Sequence, residues 1–130
     1  MEATELRINN LVSDRGGLIC FVESIRYDGY GEHKIEAWPL GGGGGPVSLP
    51  LKYIPLSDIW LKKAGFGDYG YGRWELNNFG NDEIGRHTLR IHHHENGFQS
   101  DEEINRTLNS VNDLQNWVFG RTGLELTFQQ

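Results

Sequence analysis

Ile54-Pro55-Leu56-Ser57-Asp58-Ile59-Trp60-Leu61-Lys62-Lys63-Ala64-Gly65-Phe66 punctuates a short helix at both ends. Ser57 offers an oxygen to the amides of the first turn, and Asp58 sits at the positive end of the helix dipole. Ile59, Trp60, Leu61 and Ala64 supply an apolar side, and Lys62-Lys63 lie near the negative end. Gly65 suits the left-handed residue that stops a helix, with Phe66 folding back as its hydrophobic contact. A second stretch repeats the plan: Ser110-Val111-Asn112-Asp113-Leu114-Gln115-Asn116-Trp117-Val118-Phe119-Gly120-Arg121-Thr122-Gly123. Ser110 and Asp113 make a capping box with aspartate in place of the usual glutamate. Val111, Leu114, Trp117 and Val118 face a core, and Gly123 is the stop. Leu124 to Phe128 then alternates and predicts a last strand.

Around these helices the chain reads as strands. Leu6 and Ile8 alternate with Arg7 and Asn9 and run into Leu11-Val12, predicting a strand over 6–12. Asp14-Arg15-Gly16-Gly17 supplies turn chemistry, and Leu18 to Ile25 is rich in β-branched and aromatic residues. After the turn Asp28-Gly29-Tyr30-Gly31, Lys34 to Trp38 alternates again. Leu51 to Leu56 reads as a fourth strand limited by Pro50 and Pro55. Two arrangements of these short strands stay open, an SH3-like barrel and an open meander. Residues 67–99 read as a second β-meander, with strands over Arg73 to Leu76 and Thr88 to His94 and a further one beginning at Phe98. The expected fold is α+β: a small curled N-terminal β-sheet, a short helix, a second β-meander and a C-terminal helix. A curled β-subdomain over 1–56 and a helix–β-meander–helix subdomain over 57–130 are expected to form one integrated unit.

The chain has 130 residues and a formal charge of -6, with no long run of lysine or arginine. A protein that coats DNA or RNA needs a basic face to neutralise phosphates, so generic nucleic-acid binding is disfavoured. An acidic surface suits solubility and protein partners. Cys20 is the only cysteine. An intramolecular disulfide and a multi-cysteine zinc site are therefore excluded, and Ile19 and Phe21 around it point to a buried thiol in a strand. No apolar stretch approaches the length of a membrane span, and the N-terminus lacks the apolar core of a signal peptide. A cytoplasmic location without membrane contact is expected; a homo-oligomer is compatible with the sequence.

Three ordered blocks carry a resemblance. Leu6-Arg7-Ile8-Asn9-Asn10-Leu11-Val12 matches Leu-Arg-Ile-x-Asn-x-Val, and Ile54 to Phe66 matches Ile-Pro-Leu-x-x-x-Trp-Leu-x-x-x-Gly-Phe. Leu114 to Leu126 matches Leu-Gln-Asn-x-x-Phe-x-x-Thr-Gly-x-Glu-Leu. In these the chain resembles a family of small proteins of Bacteroidetes and their phages and mobile elements, to which no activity is assigned. The segment containing Gly41 to Gly45 and the His92-His93-His94 run depart from that pattern. The resemblance implies a provenance, and with it accessory factors or inhibitors of host defence, but no catalytic residues.

The histidine run is the first candidate for chemistry. On a strand, His92 and His94 share one face with Arg90, whereas His93 points with His87, Ile91 and Glu95 to the other. Two imidazoles at this spacing can bind one zinc or manganese ion, although the spacing nominates no third ligand. His93-His94-Glu95 fits a short deaminase pattern whose downstream Pro-Cys-x-x-Cys a chain with one cysteine cannot supply. His87-Thr88 has no second copy to complete a phosphoesterase pair. No Gly-x-Ser-x-Gly elbow and no phosphate-binding loop with its lysine is present. Gly41 to Gly45 reads as a surface hairpin, and Asp101-Glu102-Glu103 as a solvated acidic face.

Gly65-Phe66-Gly67-Asp68-Tyr69-Gly70-Tyr71-Gly72-Arg73-Trp74 is the second candidate. Aromatics alternate there with glycine and a guanidinium follows, a pattern that can present flat faces to a base and charge to a phosphate. In this reading Tyr69, Tyr71 and Trp74 stack a base, while Arg73, Arg90 and His92 meet phosphates. The expected function is that of a non-enzymatic phage or mobile-element protein that binds a small phosphorylated, cyclic nucleotide and sequesters this immune signal of the host. No cofactor is required. The alternatives are a protein–protein inhibitor of a host defence factor and a metal-dependent phosphodiesterase using His92 and His94 with zinc or manganese.

Overall fold

The computed structural model describes residues 6–27, 29–30, 33–42, 50–83, 85–95, 97–101 and 106–129. Gly43 to Gly45 of the glycine run, and Glu102 and Glu103 of the acidic run, lie outside the described residues. The protein is α+β, with a three-stranded and a five-stranded antiparallel sheet. Its chain divides into two compact units, Met1–Ile54 and Pro55–Gln130.

In the first unit β1 (Leu11–Ser13), β2 (Ile19–Tyr27) and β3 (His33–Pro39) form a sheet in chain order. The register pairs Val12 with Cys20, Val22 with Ala37 and Ile25 with Ile35. Because side chains alternate across a strand, this pairing collects the apolar residues on one face. Leu6, Val12, Cys20, Val22 and Ala37 are buried together there, with Ile25, Ile35, Leu51 and Tyr53 packed against them. Of the two expected arrangements the meander is the one observed; no closed barrel forms among the described residues.

Two expected strands in this half are corrected. The alternation over 6–12 yields strand only from Leu11, because Asn9 adopts a left-handed φ of 76° and Asn10 closes a turn onto Arg7. Asparagine tolerates that conformation, and its side chain competes for backbone hydrogen bonds. Leu51 to Leu56 contributes only single bridges, Lys52 to Ser13 and Pro55 to Ser110. Proline has no N–H with which to extend a ladder. The Asp14 turn forms as read, with Asp14 Oδ1 accepting from the Gly16 and Leu18 amides at 2.9 and 2.8 Å. Cys20 is a buried free thiol whose Sγ donates to the Leu18 carbonyl at 3.2 Å. Burial, and next the negative charge of Asp14, push this thiol's pKa above its ordinary value.

The second unit runs α1 (Asp58–Lys63), β4 (Gly67–Gly70), β5 (Arg73–Asn81), β6 (Gly85–His94), β7 (Gly97–Ser100), β8 (Thr107–Leu108) and α2 (Val111–Thr122). Its five strands lie side by side in chain order, each antiparallel to the next. Helix α1 ends as its sequence requires: Gly65 takes φ 96°, its amide bonds the Lys62 carbonyl, and the Phe66 amide bonds that of Leu61. These two bonds make a Schellman stop. Its start differs, since the Ser57 side chain makes no capping bond.

Helix α2 is capped at both ends. Ser110 Oγ accepts from the Asp113 amide at 3.2 Å, while Asp113 Oδ2 accepts from the Ser110 amide at 3.2 Å. Gly123 closes the helix at φ 76°. Val111, Leu114, Trp117 and Val118 are buried as read, in a unit whose other buried residues include Leu61, Phe66, Trp74, Leu89, Ile91 and Leu108. The expected last strand is absent. Instead Gln129 donates to the Lys63 carbonyl at 2.7 Å, and Phe128 meets Trp60 edge to face at 5.4 Å. Alternation in this tail serves to bury Leu126 and lay Phe128 on α1, with no ladder formed. No helix among the described residues is long and apolar enough to cross a membrane.

Candidate functional site

The pleat of the five-stranded sheet sorts its residues into two faces. Trp74 lies opposite Ile91, Leu76 opposite Leu89 and Ile91 opposite Ser100; these belong to the core face. The alternate positions pair Arg73 with His92, Glu75 with Arg90 and His92 with Gln99. They form an outer face that is polar throughout. A slip of one residue in this register would exchange the two faces, so burial of Trp74, Leu89 and Ile91 fixes the outer set.

Glu75 organises the charged part of that face. Its side chain is only 13% exposed, and Oε1 accepts from Arg90 Nε at 2.7 Å. Arg73 Nη2 lies 4.0 Å from the same oxygen. Both arginine side chains remain 53% exposed, so the carboxylate draws two guanidiniums together while their outer edges face water. An exposed ion pair contributes little stability by itself. Its effect here is orientation, because a guanidinium held through Nε still has Nη donors in a fork suited to carboxylate or phosphate.

Beside the arginines the imidazoles of His92 and His94 stack, with centroids 5.6 Å apart and planes inclined by 19°. His92 Nε2 lies 3.6 Å from Asp101 Oδ2. Asp101 is fixed there by its own amide, which donates to the Arg90 carbonyl at 3.0 Å. His92, His94, Gln99, Ser100 and Asp101 line a hollow of about 200 Å³. The Ser100 hydroxyl oxygen accepts from the Arg106 amide at 3.0 Å. His93 points to the opposite face and stacks on Phe98 with centroids 4.1 Å apart.

A tight hairpin borders the face. Gly70 pairs with Arg73, leaving Tyr71 and Gly72 as the turn, with φ of 54° and 77°. Positive φ at both central residues gives the twist that matches antiparallel strands. Gly72 is needed for a second reason: a Cβ there would lie 2.5 Å from the His93 carbonyl oxygen. The Gly72 carbonyl in turn accepts from the His93 amide at 2.7 Å. Tyr71 is fully exposed in a conformation that costs a non-glycine residue about 1–2 kcal/mol. Tyr69 is exposed on β4, and its hydroxyl accepts from Asn77 Nδ2 at 3.0 Å.

Of the residues selected from sequence, Arg73, Arg90 and His92 therefore share one face, His94 joins His92, and Tyr71 stands two positions from Arg73. Trp74 is a correction. It is 3% exposed on the core face and has no free ring face for a base, because the alternation that turns Arg73 outward turns Trp74 inward. His92 and His94 converge as a pair. Among the described residues, however, no group of three His, Cys, Asp or Glu side chains is placed to hold a metal ion. Glu75, Gln99 and Asp101 were missed. The alternation Arg73-Trp74-Glu75 already carried the signal for Glu75, whereas Gln99 and Asp101 reach the site only through pairing of β6 with β7.

Fold and face together define an α+β protein with a one-sided, arginine- and histidine-bearing sheet surface. Compared with protein-family models, curated proteins and solved structures, the chain matches none.

Proposed function

We propose that this chain is a non-enzymatic binding protein that takes a small phosphorylated nucleotide on the outer face of its five-stranded sheet. The observation that carries this reading is the clustering of Arg73, Arg90 and His92 on one solvent-facing surface, with Glu75 holding the Arg90 guanidinium through Nε and drawing that of Arg73 to within 4.0 Å. Fixed guanidinium donors suit phosphate oxygens. Tyr69 and Tyr71, both exposed, supply the flat faces that stack on a base once Trp74 is set aside. Binding is preferred to turnover because the two arginines that lead this face stay protonated and supply charge and hydrogen bonds without exchanging a proton. The resemblance to small phage and mobile-element proteins supports a sequestering role against a host signal.

Calorimetry and native mass spectrometry against cyclic and ADP-ribose-derived nucleotides test the proposal. Stoichiometric binding that weakens with salt and with Arg73→Ala supports it. Absence of binding across the panel removes it. A host protein as the partner is the second reading, favoured by the full exposure of Tyr71 at a turn tip, since exposed aromatics are common anchors of protein interfaces. Capture of a defined host protein that depends on Tyr71 and ignores Arg73→Ala would select it.

A further inference from the structure

The hollow beside the arginines has a chemistry different from theirs. Arginine only donates hydrogen bonds, whereas the hollow is lined by a carboxylate that only accepts, by two imidazoles, by an amide that does both, and by Ser100, whose hydroxyl oxygen accepts from the Arg106 amide. A phosphate oxygen would meet the Asp101 carboxylate with like charge. A sugar hydroxyl matches the lining, because it donates to Asp101 and accepts from Gln99 or an imidazole N–H. At about 200 Å³ the hollow is also smaller than the roughly 300 Å³ at which whole-ligand pockets begin, so it suits one portion of a larger ligand.

Its position fits that role. His92, which lines the hollow, pairs directly with Arg73 on one side and with Gln99 on the other. Arg73 on β5 and Gln99 on β7 thus flank His92 from its two neighbouring strands, roughly 10 Å apart across the sheet, a span that their side chains and one ligand can bridge. Asp101 is held at the rim by its amide bond to the Arg90 carbonyl, which couples its place to that of a phosphate-binding arginine.

We infer that this hollow is the ribose subsite of the nucleotide site, with Asp101 accepting a hydrogen bond from the sugar 2′-hydroxyl. The inference rests on the nucleotide reading above and deepens it: the ligand is a ribonucleotide, and the protein discriminates against its deoxy form. A guanine edge is the rival occupant, since its N1–H and N2–H would donate to Asp101 while O6 accepts from Gln99, and only the deoxy probes separate the two.

The test is calorimetry on the full chain with 3′,5′-cyclic AMP, 3′,5′-cyclic GMP and the 2′-deoxy counterpart of each. The ribose forms are expected to bind at least about tenfold more tightly than the deoxy forms, as for loss of a hydrogen bond to a charged group. Asp101→Asn narrows that ratio to less than about threefold. Arg73→Ala weakens ribose and deoxy forms alike. Equal binding of ribose and deoxy forms, or a ribose preference that survives Asp101→Asn in a protein of native circular dichroism, overturns the subsite and leaves the nucleotide site standing. A preference that follows the base and ignores the sugar overturns it as well. Failure of all four probes to bind the wild-type protein rejects both this subsite and the cyclic-nucleotide site on which it rests.

Discussion

Replacing Gly72 with alanine strikes the hairpin that borders the candidate site, and the cost can be worked from two separate terms. At φ 77° an alanine pays the left-handed penalty of about 1–2 kcal/mol. Its Cβ would also lie 2.5 Å from the His93 carbonyl oxygen, and must retreat by about 0.5 Å to reach even the shortest ordinary contacts. That retreat separates β5 from β6 where the His93 amide bonds Gly72, adding about 1–3 kcal/mol as for other overpacked sites. A total of roughly 2–5 kcal/mol is expected, a large share of the 5–15 kcal/mol typical of a whole domain.

Gly70→Ala is the control. Gly70 has φ 82°, but nothing lies within 4 Å of its Cβ direction, so only the first term applies. Urea unfolding should therefore place the midpoint of Gly72→Ala about 1 M below that of Gly70→Ala, given the usual dependence on denaturant. Hydrogen exchange at the His93 amide should accelerate in Gly72→Ala beyond its rate in the control. Equal midpoints in the two variants would refute the close approach of Gly72 to His93.

Ser110→Ala removes the acceptor of the α2 capping box and should cost about 1 kcal/mol, read as a lower thermal midpoint; an unchanged midpoint would show that the box contributes nothing. Leu114→Ala empties a fully buried position and should cost about 2–5 kcal/mol in the same assay, whereas a cost under about 1 kcal/mol would contradict its burial. Cys20, whose pKa is raised in the folded protein, should resist thiol reagents at neutral pH until the chain unfolds. Above the ordinary thiol value the unfolded chain loses its proton first, so stability should fall as pH rises from about 8 to 10, and less so in Cys20→Ala. Identical pH profiles would refute that shift. For the nucleotide site, Arg90→Ala should weaken binding roughly tenfold and flatten its salt dependence in calorimetry, and unchanged affinity would remove Arg90 from the site.

Much of the scaffold was legible because its signals are local. The capping box at Ser110 and Asp113 and the stop at Gly65 join residues only a few positions apart, so composition at fixed offsets sufficed. Alternation was less dependable. Over 6–12 it was broken by the left-handed Asn9, and over Leu124 to Phe128 the same pattern served packing on α1 without strand pairing. In the candidate site, alternation correctly separated His92 and His94 from His93. Trp74 was misassigned because the aromatic–glycine stretch suggested one exposed surface, although its strand portion obeys the pleat.

By itself the sequence determined the positions of two helix stops and one capping box, the single thiol, the acidic balance and the division of the histidine run between two faces. Each follows from covalent neighbours, or from a period that one strand carries alone. Only the tertiary structure decided that Arg73, Glu75, Arg90, His92, Gln99 and Asp101 belong to one neighbourhood. Their assembly depends on cross-strand register, which is set by which apolar residues can be buried together and is not written in the spacing of any one segment.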